Sequence, residues 1–399
     1  MKNINFHANL GTFAKSSVIA RLFVDGLSKH FTINLPLYGK DHKPGRINEE
    51  EDQYFKEFIQ PSLDIDTNIF YDMPMSWKPQ QGKKNIGIFG WETTKIPCRD
   101  LMLHPNIHPG SFNWTKMFNS MDEVWCLSKF TEQAMRNGGV TVPLKVIKPP
   151  LDTTFWQPGI WEMKEPVVGL DHDVHGEKLY DKFVVGFVGE WCHKNDPVTL
   201  LKLLMVGLPV NDTVIVLKIH SMKNGVTKEA LANAIKKIKT ETYLPKLPTI
   251  VLIDNYLDEK EYAGLLNKLT VYVSVSKGEC YNLPALEAMS LGKLCVLPTH
   301  SANSELLKDK ETGFGVNFTP ELAFNPDEGV MPSSPYYSSD QLWCKANELE
   351  VIQHLQTIHQ EWQKDKTLLK YKRLGLMGSE FVDKHFGYKQ FNKAMEEYK

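Results

Sequence analysis

The stretch Val271–Thr299, VYVSVSKGECYNLPALEAMSLGKLCVLPT, decides the fold. It opens on VYVSVS, whose β-branched and aromatic residues suit a strand buried on both faces. The loop KGECYN follows. Pro284 then fits a first helical turn, where its missing N–H has no partner to lose. After the helical PALEAMSLG, the run LCVLPT reads as another strand, so the whole stretch is a parallel βαβ unit. Its loop carries Glu279, and Glu287 stands about one turn inside the helix.

The same alternation extends in both directions. Before it come strands FVVGFVGE (183–190), TVIVLKIH (213–220) and TIVLID (249–254), separated by the helical stretches DPVTLLKLLMVG, KEALANAIKKIKT and DEKEYAGLLNKL. A first series runs from the amino terminus, with NINFHANL, FTINLPLYG, NIGIFGWE, EVWCLS and LKVIKPP as strands and SSVIARLFVDGLSKH as a helix. Ser128 is placed to cap the helix after EVWCLS. Between the two series, residues 151–182 mix Pro, Gly and charges without a period and read as a linker. The expected fold class is α/β, with two Rossmann-like doubly wound domains facing a central cleft. The first domain covers about 1–165 and the second 180–385. In open α/β sheets ligands sit beyond the carboxyl ends of the strands, so the loops there are the place to look.

With 399 residues, 42% hydrophobic and 24% charged, the chain has enough apolar matter for two cores. Its 46 Lys+Arg against 48 Asp+Glu give a formal net charge of −2, which excludes the global basic field of a general nucleic-acid binder. Cys98, Cys126, Cys192, Cys280, Cys295 and Cys344 are widely spaced with no C-x-x-C pair, as expected of reduced thiols. The opening MKNINFHANLG has no apolar stretch of signal-peptide length, and no run approaches the roughly 18 apolar residues of a membrane span. The expectation is a cytoplasmic protein with no transmembrane segment.

The amides and dipole of the first turn after KGECYN make an anion site suited to phosphate. Two carboxylates beside it suit hydroxyls. A ligand with phosphates between two hydroxyl-rich rings, such as a nucleotide sugar, has that layout. The pattern GE-x-x-N-L-P-A-L-E-A-M-x-x-G-K-x-x-V after an apolar strand resembles the donor-site signature of retaining GT-B glycosyltransferases, specifically glycosyltransferase family four (group 1).

That resemblance implies roles for particular residues. Glu279 would contact hydroxyls of the transferred sugar, Glu287 the nucleoside ribose, and the amides around Cys280, Tyr281, Asn282 and Leu283 the phosphates. FVGEWCHKND resembles the loop that binds the donor diphosphate, with Lys194 matching the family's lysine and His193 standing where related sequences often carry Arg. NLGTF resembles the glycine loop, where Gly11 permits close backbone approach. GIFGWETTKIP resembles the segment facing the donor sugar, with Glu92 entering the site. Lys218 ends a strand at the cleft, and Asn255 and Tyr256 would border the base. The catalytic set it implies is Glu279, Lys194 and Glu92, and, as in GT-B relatives, a last helix at about 386–399 is expected to cross back onto the first domain.

The implied chemistry is sugar transfer to an acceptor hydroxyl with retention, no cofactor and no metal, a UDP- or GDP-sugar being the donor. Glycans, lipid-linked glycans, small molecules and a modified DNA base are the acceptor classes left open, and a non-catalytic relative binding nucleotide sugars or glycans is the reading from another class. The pairs Asp64/Asp66 and Asp171/Asp173 do not end core strands, and Pro105 and Pro109 break the spacing of His104 and His108, so none is read as a metal site.

Overall fold

The computed structural model describes residues 2–12, 14–38, 49–100, 113–161, 182–219, 228–243, 246–308, 311–323 and 336–398. Asp171, Asp173, His104 and His108, most of the linker and residues 39–48 lie outside the described residues.

The first domain runs β1 (Asn3–Ala8), α1 (Lys15–Ser28), β2 (Thr32–Asn34), α2 (Glu49–Lys56), β3 (Thr67–Tyr71) and β4 (Lys84–Phe89). It continues with α3 (Trp114–Phe118), β5 (Glu123–Cys126), α4 (Lys129–Asn137) and β6 (Leu144–Val146). The second runs β7 (Phe183–Gly189), α5 (Pro197–Gly207), β8 (Thr213–Ile219), α6 (Lys228–Thr242), β9 (Thr249–Ile253) and α7 (Glu259–Lys268). Then come β10 (Val271–Val273), α8 (Leu283–Ser290), β11 (Leu294–Pro298), α9 (Asn303–Leu306) and β12 (Phe314–Val316). A hairpin, β13 (Phe318–Leu322) and β14 (Leu342–Ala346), precedes three final helices, α10 (Glu348–Lys364), α11 (Leu369–Phe386) and α12 (Tyr388–Met395).

Each domain is built on a six-stranded sheet, in the orders β2-β1-β3-β4-β5-β6 and β12-β11-β10-β7-β8-β9, with every neighbouring pair parallel. Both sheets reverse their order beside the first strand of the domain, which opens the crevice at that point. Helices on both faces explain why β8 reads as an unbroken apolar run, with all seven of its residues buried. They also explain α5, apolar nearly all round, which lies between its sheet and α10.

Four parallel strands of the first sheet carry an asparagine at the same level. Asn34 Nδ2 donates to Asn5 Oδ1 at 2.8 Å, Asn5 Nδ2 to Asn68 Oδ1 at 3.1 Å, and Asn68 Nδ2 reaches Asn85 Oδ1 at 3.5 Å. Those residues are register partners across β2, β1, β3 and β4. A one-residue slip of any strand would point its amide to the other face and leave its neighbours unpaired.

Two features depart from the sequence reading. β3, unmarked in the sequence, is central to the first sheet, and VYVSVS forms a strand only over Val271–Val273 before Ser274–Ser276 bend into the site. At the far end of the chain α12 packs on α1, and the Trp125 indole donates to the Tyr398 hydroxyl at 2.9 Å.

Candidate active site

The site grows from the loop after β10. Asn282 caps α8 by accepting from the Ala285 amide at 3.4 Å, and its Nδ2 donates to Asn303 Oδ1 at 2.8 Å, so the turn is held from two sides. The Leu283 amide closes onto the Tyr281 carbonyl at 2.8 Å, and Glu279 donates its own amide to Ser301 Oγ at 2.8 Å. Among the described residues no hydrogen bond closes the amides of Cys280, Tyr281 and Asn282, so these are the donors at the helix start. Tyr281 is anchored through its hydroxyl, which donates to the Pro149 carbonyl at 3.0 Å.

Glu279 is 5% exposed. Its Oε1 accepts from Ser276 Oγ at 2.8 Å, and its Oε2 meets Lys15 Nζ, at the start of α1 in the other domain, at 2.6 Å. Burial alone would raise its pKa, but the charges of Lys15 and Lys194 outweigh that and hold it below the ordinary glutamate value. Lys194 is the counterpart: burial works against its charge, and Glu279 and Glu92 overturn this and raise its pKa well above normal. Lys194 and Glu279 therefore hold one another ionised in a place that is poor in water.

Glu92 follows β4 and faces this pair from the first domain. It accepts a hydrogen bond from the Tyr337 hydroxyl, which comes from the segment leading into β14. A Cβ at Gly278 would lie well inside van der Waals contact of the Glu92 carbonyl oxygen, so only glycine lets the two loops meet this closely. The hairpin continues the clamp: the Thr94 amide donates to the Leu342 carbonyl at 3.1 Å, the Leu342 amide to Thr94 Oγ1 at 3.0 Å, and Lys95 pairs with Asp340 at 2.8 Å.

Glu287 sits inside α8, 5% exposed, and accepts from the Tyr262 hydroxyl at 2.9 Å. Burial lifts its pKa to about 8, with the nearby Glu259 adding to the rise. It therefore carries a proton at neutral pH and presents both a donor and an acceptor.

The remaining expected residues divide. His193 packs its ring 5.6 Å from that of Trp343 beside Lys194. Gly11 donates its amide to Asn9 Oδ1 at 3.2 Å in the loop that leads to Lys15. Lys218 is buried, and its ammonium donates to the Asn255 carbonyl at 2.9 Å and, at 3.4 Å, to the Ile219 carbonyl, which ties the ends of β8 and β9 together. Burial pulls its pKa down to about 8. Asn255 and Tyr256 are exposed on the rim. Asp64 pairs with Lys83 and Asp66 accepts from the Asn3 amide, both at the amino-terminal ends of their strands and away from the cleft. The structure adds Lys15, Ser276, Ser301, Tyr262 and Tyr337, none of which stands in a sequence pattern that marks it.

No protein-family model matches the sequence, and no curated protein is similar enough to match. Solved structures do match over the whole chain. HepE of Anabaena, solved with UDP-glucose, superposes with a TM-score of 0.64 at 11% identity, covering 100% of this chain and 99% of that one. Sucrose-phosphate synthase of Thermosynechococcus elongatus gives 0.61 at 12% identity, over 100% and 98%. A glycosyltransferase of Rickettsia africae gives 0.60 at 13% identity, over 100% and 98%. The fold is GT-B.

Proposed function

We propose that this GT-B chain is a glycosyltransferase that moves a sugar from a nucleotide-sugar donor to an acceptor hydroxyl with retention of configuration and without a metal. The observation that carries the reading is the meeting of Glu279, Lys194 and Lys15 at the start of α8. An acid fit for sugar hydroxyls, cations fit for a diphosphate and open helix amides are brought together there from both domains.

In this reading the donor diphosphate lies on the amides of Cys280 to Asn282 and on Lys194, and its sugar lies against Glu279 and Glu92. Lys15 gives up Glu279 to sugar hydroxyls as the donor enters. The bond from the anomeric carbon to the diphosphate oxygen breaks while the acceptor oxygen bonds to the same face of that carbon. The acceptor proton passes to the departing diphosphate. Lys194 and the α8 amides stabilise the charge that grows there, which is where fixed donors in a dry site lower a barrier most. Glu287, protonated and beside Tyr262, lies where the nucleoside ribose would fall.

The test is a thermal-shift panel of UDP-, GDP-, ADP- and CMP-sugars with and without EDTA, with UDP-glucose first because HepE was solved with it. One selective, EDTA-insensitive rise in Tm, followed by release of the free nucleoside diphosphate with acceptor mixtures, is the expected result. A protein whose Tm moves with none of the four classes would sink the reading.

A further inference from the structure

The cleft chemistry leaves a second cavity unused. It has a volume of about 820 Å³ and lies where α4 and β6 of the first domain meet α9 and the returning α11 and α12. Three lysines, Lys129, Lys148 and Lys308, line it together with His385, against one carboxylate, Glu305. Glu305 is already engaged: it accepts from the Lys129 amide at 2.6 Å and pairs with Lys148 at 2.9 Å. Among the described residues no carboxylate pairs with the ammonium groups of Lys129 and Lys308, both of which are exposed. The pKa of His385 is pushed down, first by burial and then by Lys384, Lys148 and Lys308, and a field that repels a proton attracts an anion.

The walls are aromatic. Phe130 and Phe381 are half-buried, Lys308 lies 5.5 Å over the Phe381 ring, and Lys148 lies 4.2 Å over Phe386. Flat apolar rings beside fixed positive charge suit a ligand that carries a phosphate and a planar base, and the volume is that of a small-ligand pocket. We propose that this cavity is a second ligand site, distinct from the cleft, that takes a nucleoside monophosphate with its phosphate on Lys129, Lys148 and Lys308 and its base against Phe130 and Phe381.

Occupation of this pocket reaches the reaction centre through α9. Glu305 belongs to α9, while just before it Ser301 accepts from the Glu279 amide and the Ala302 amide donates to the Glu279 carbonyl at 3.0 Å. A phosphate that draws Lys148 away from Glu305 loosens a tie between the domains and shifts the support of Glu279.

The experiment is isothermal titration calorimetry of the full chain with UMP and AMP, beside uridine, adenosine and inorganic phosphate. Three proteins are compared: the unaltered chain, a Lys129→Ala/Lys308→Ala double variant and Lys194→Ala. At least one monophosphate is expected to bind the unaltered chain more tightly than its nucleoside or phosphate alone. The double variant should weaken it at least about tenfold, the loss expected of charge-assisted contacts, and Lys194→Ala should leave it within about threefold. Both lysines of the double variant are exposed, so its fold is not at risk. No binding of UMP or AMP, or binding lost in Lys194→Ala and kept in the double variant, overturns the proposal. Because the readout is binding, the result stands whether or not the chain transfers a sugar.

Discussion

Glu279 and Glu287 are both 5% exposed, yet their environments drive them to opposite protonation states. Two cations keep Glu279 charged, so Glu279→Gln should lower kcat by about a hundredfold or more while the circular dichroism spectrum is unchanged. Among the described residues no cation pairs with Glu287, and burial keeps its proton on. Its folded pKa of about 8 stands above the ordinary glutamate value of 4.5, so the stability it contributes is complete below about 4.5 and is lost as pH rises through 8. The steepest loss is about 1.4 kcal/mol per pH unit. Glu287→Gln removes that dependence. Its Tm relative to the unaltered chain should therefore climb between pH 5 and pH 9; parallel curves would contradict the assignment. Both acids were legible in the sequence because they flank a helix start. Lys15 was not, since its partnership with Glu279 spans 264 positions and no local pattern records it.

At the level of elements, the βαβ alternation of the second domain was readable because buried parallel strands spell continuous apolar runs. β3 was hidden because its sequence, TNIFY, follows LDID with its two aspartates and opens on the polar Thr67 and Asn68. Asn68, the second residue of β3, is fully buried and bonds strands on both sides, so it belongs to the core despite its polarity. Asn68→Leu leaves Asn5 Nδ2 without its acceptor, while Asn85 keeps its bonds to Gln80 and Lys83, and should destabilise the first domain by about 1–3 kcal/mol. Urea unfolding would read this directly, and a midpoint within error of the unaltered chain would show the ladder to be dispensable. The β13–β14 hairpin was unreadable for another reason. Its register is antiparallel and its purpose is a contact with the first domain, and neither is stated in its own residues.

For the whole molecule, ion pairs tie the domains at three separate places: Lys15 with Glu279 inside the cleft, Asp340 with Lys95 and Arg99 beside β14, and Glu305 with Lys148 in the second cavity. Most of these are ion pairs at partly exposed positions, each weak alone, so the closed arrangement rests on their number. Asp340→Ala combined with Glu305→Ala should enlarge the radius of gyration in small-angle scattering and raise KM for the donor at least about threefold, with a smaller effect on kcat. An unchanged scattering profile would place the closure elsewhere. Two domains and a cleft followed from length and alternation, whereas the angle at which they close depends on pairs far apart in the chain.

The docking of α12 onto α1 bears on how this protein is made. Trp125 belongs to the first sheet, but the Tyr398 hydroxyl that its indole meets is 273 positions further along. On the ribosome the first domain therefore emerges with the face of α1 uncovered, including the edge of Phe23 that later meets Phe391. It must wait for the entire second domain to be synthesised before that face is sealed. A nascent chain stalled anywhere in the second domain leaves that aromatic seam exposed, the kind of surface through which partly synthesised chains aggregate.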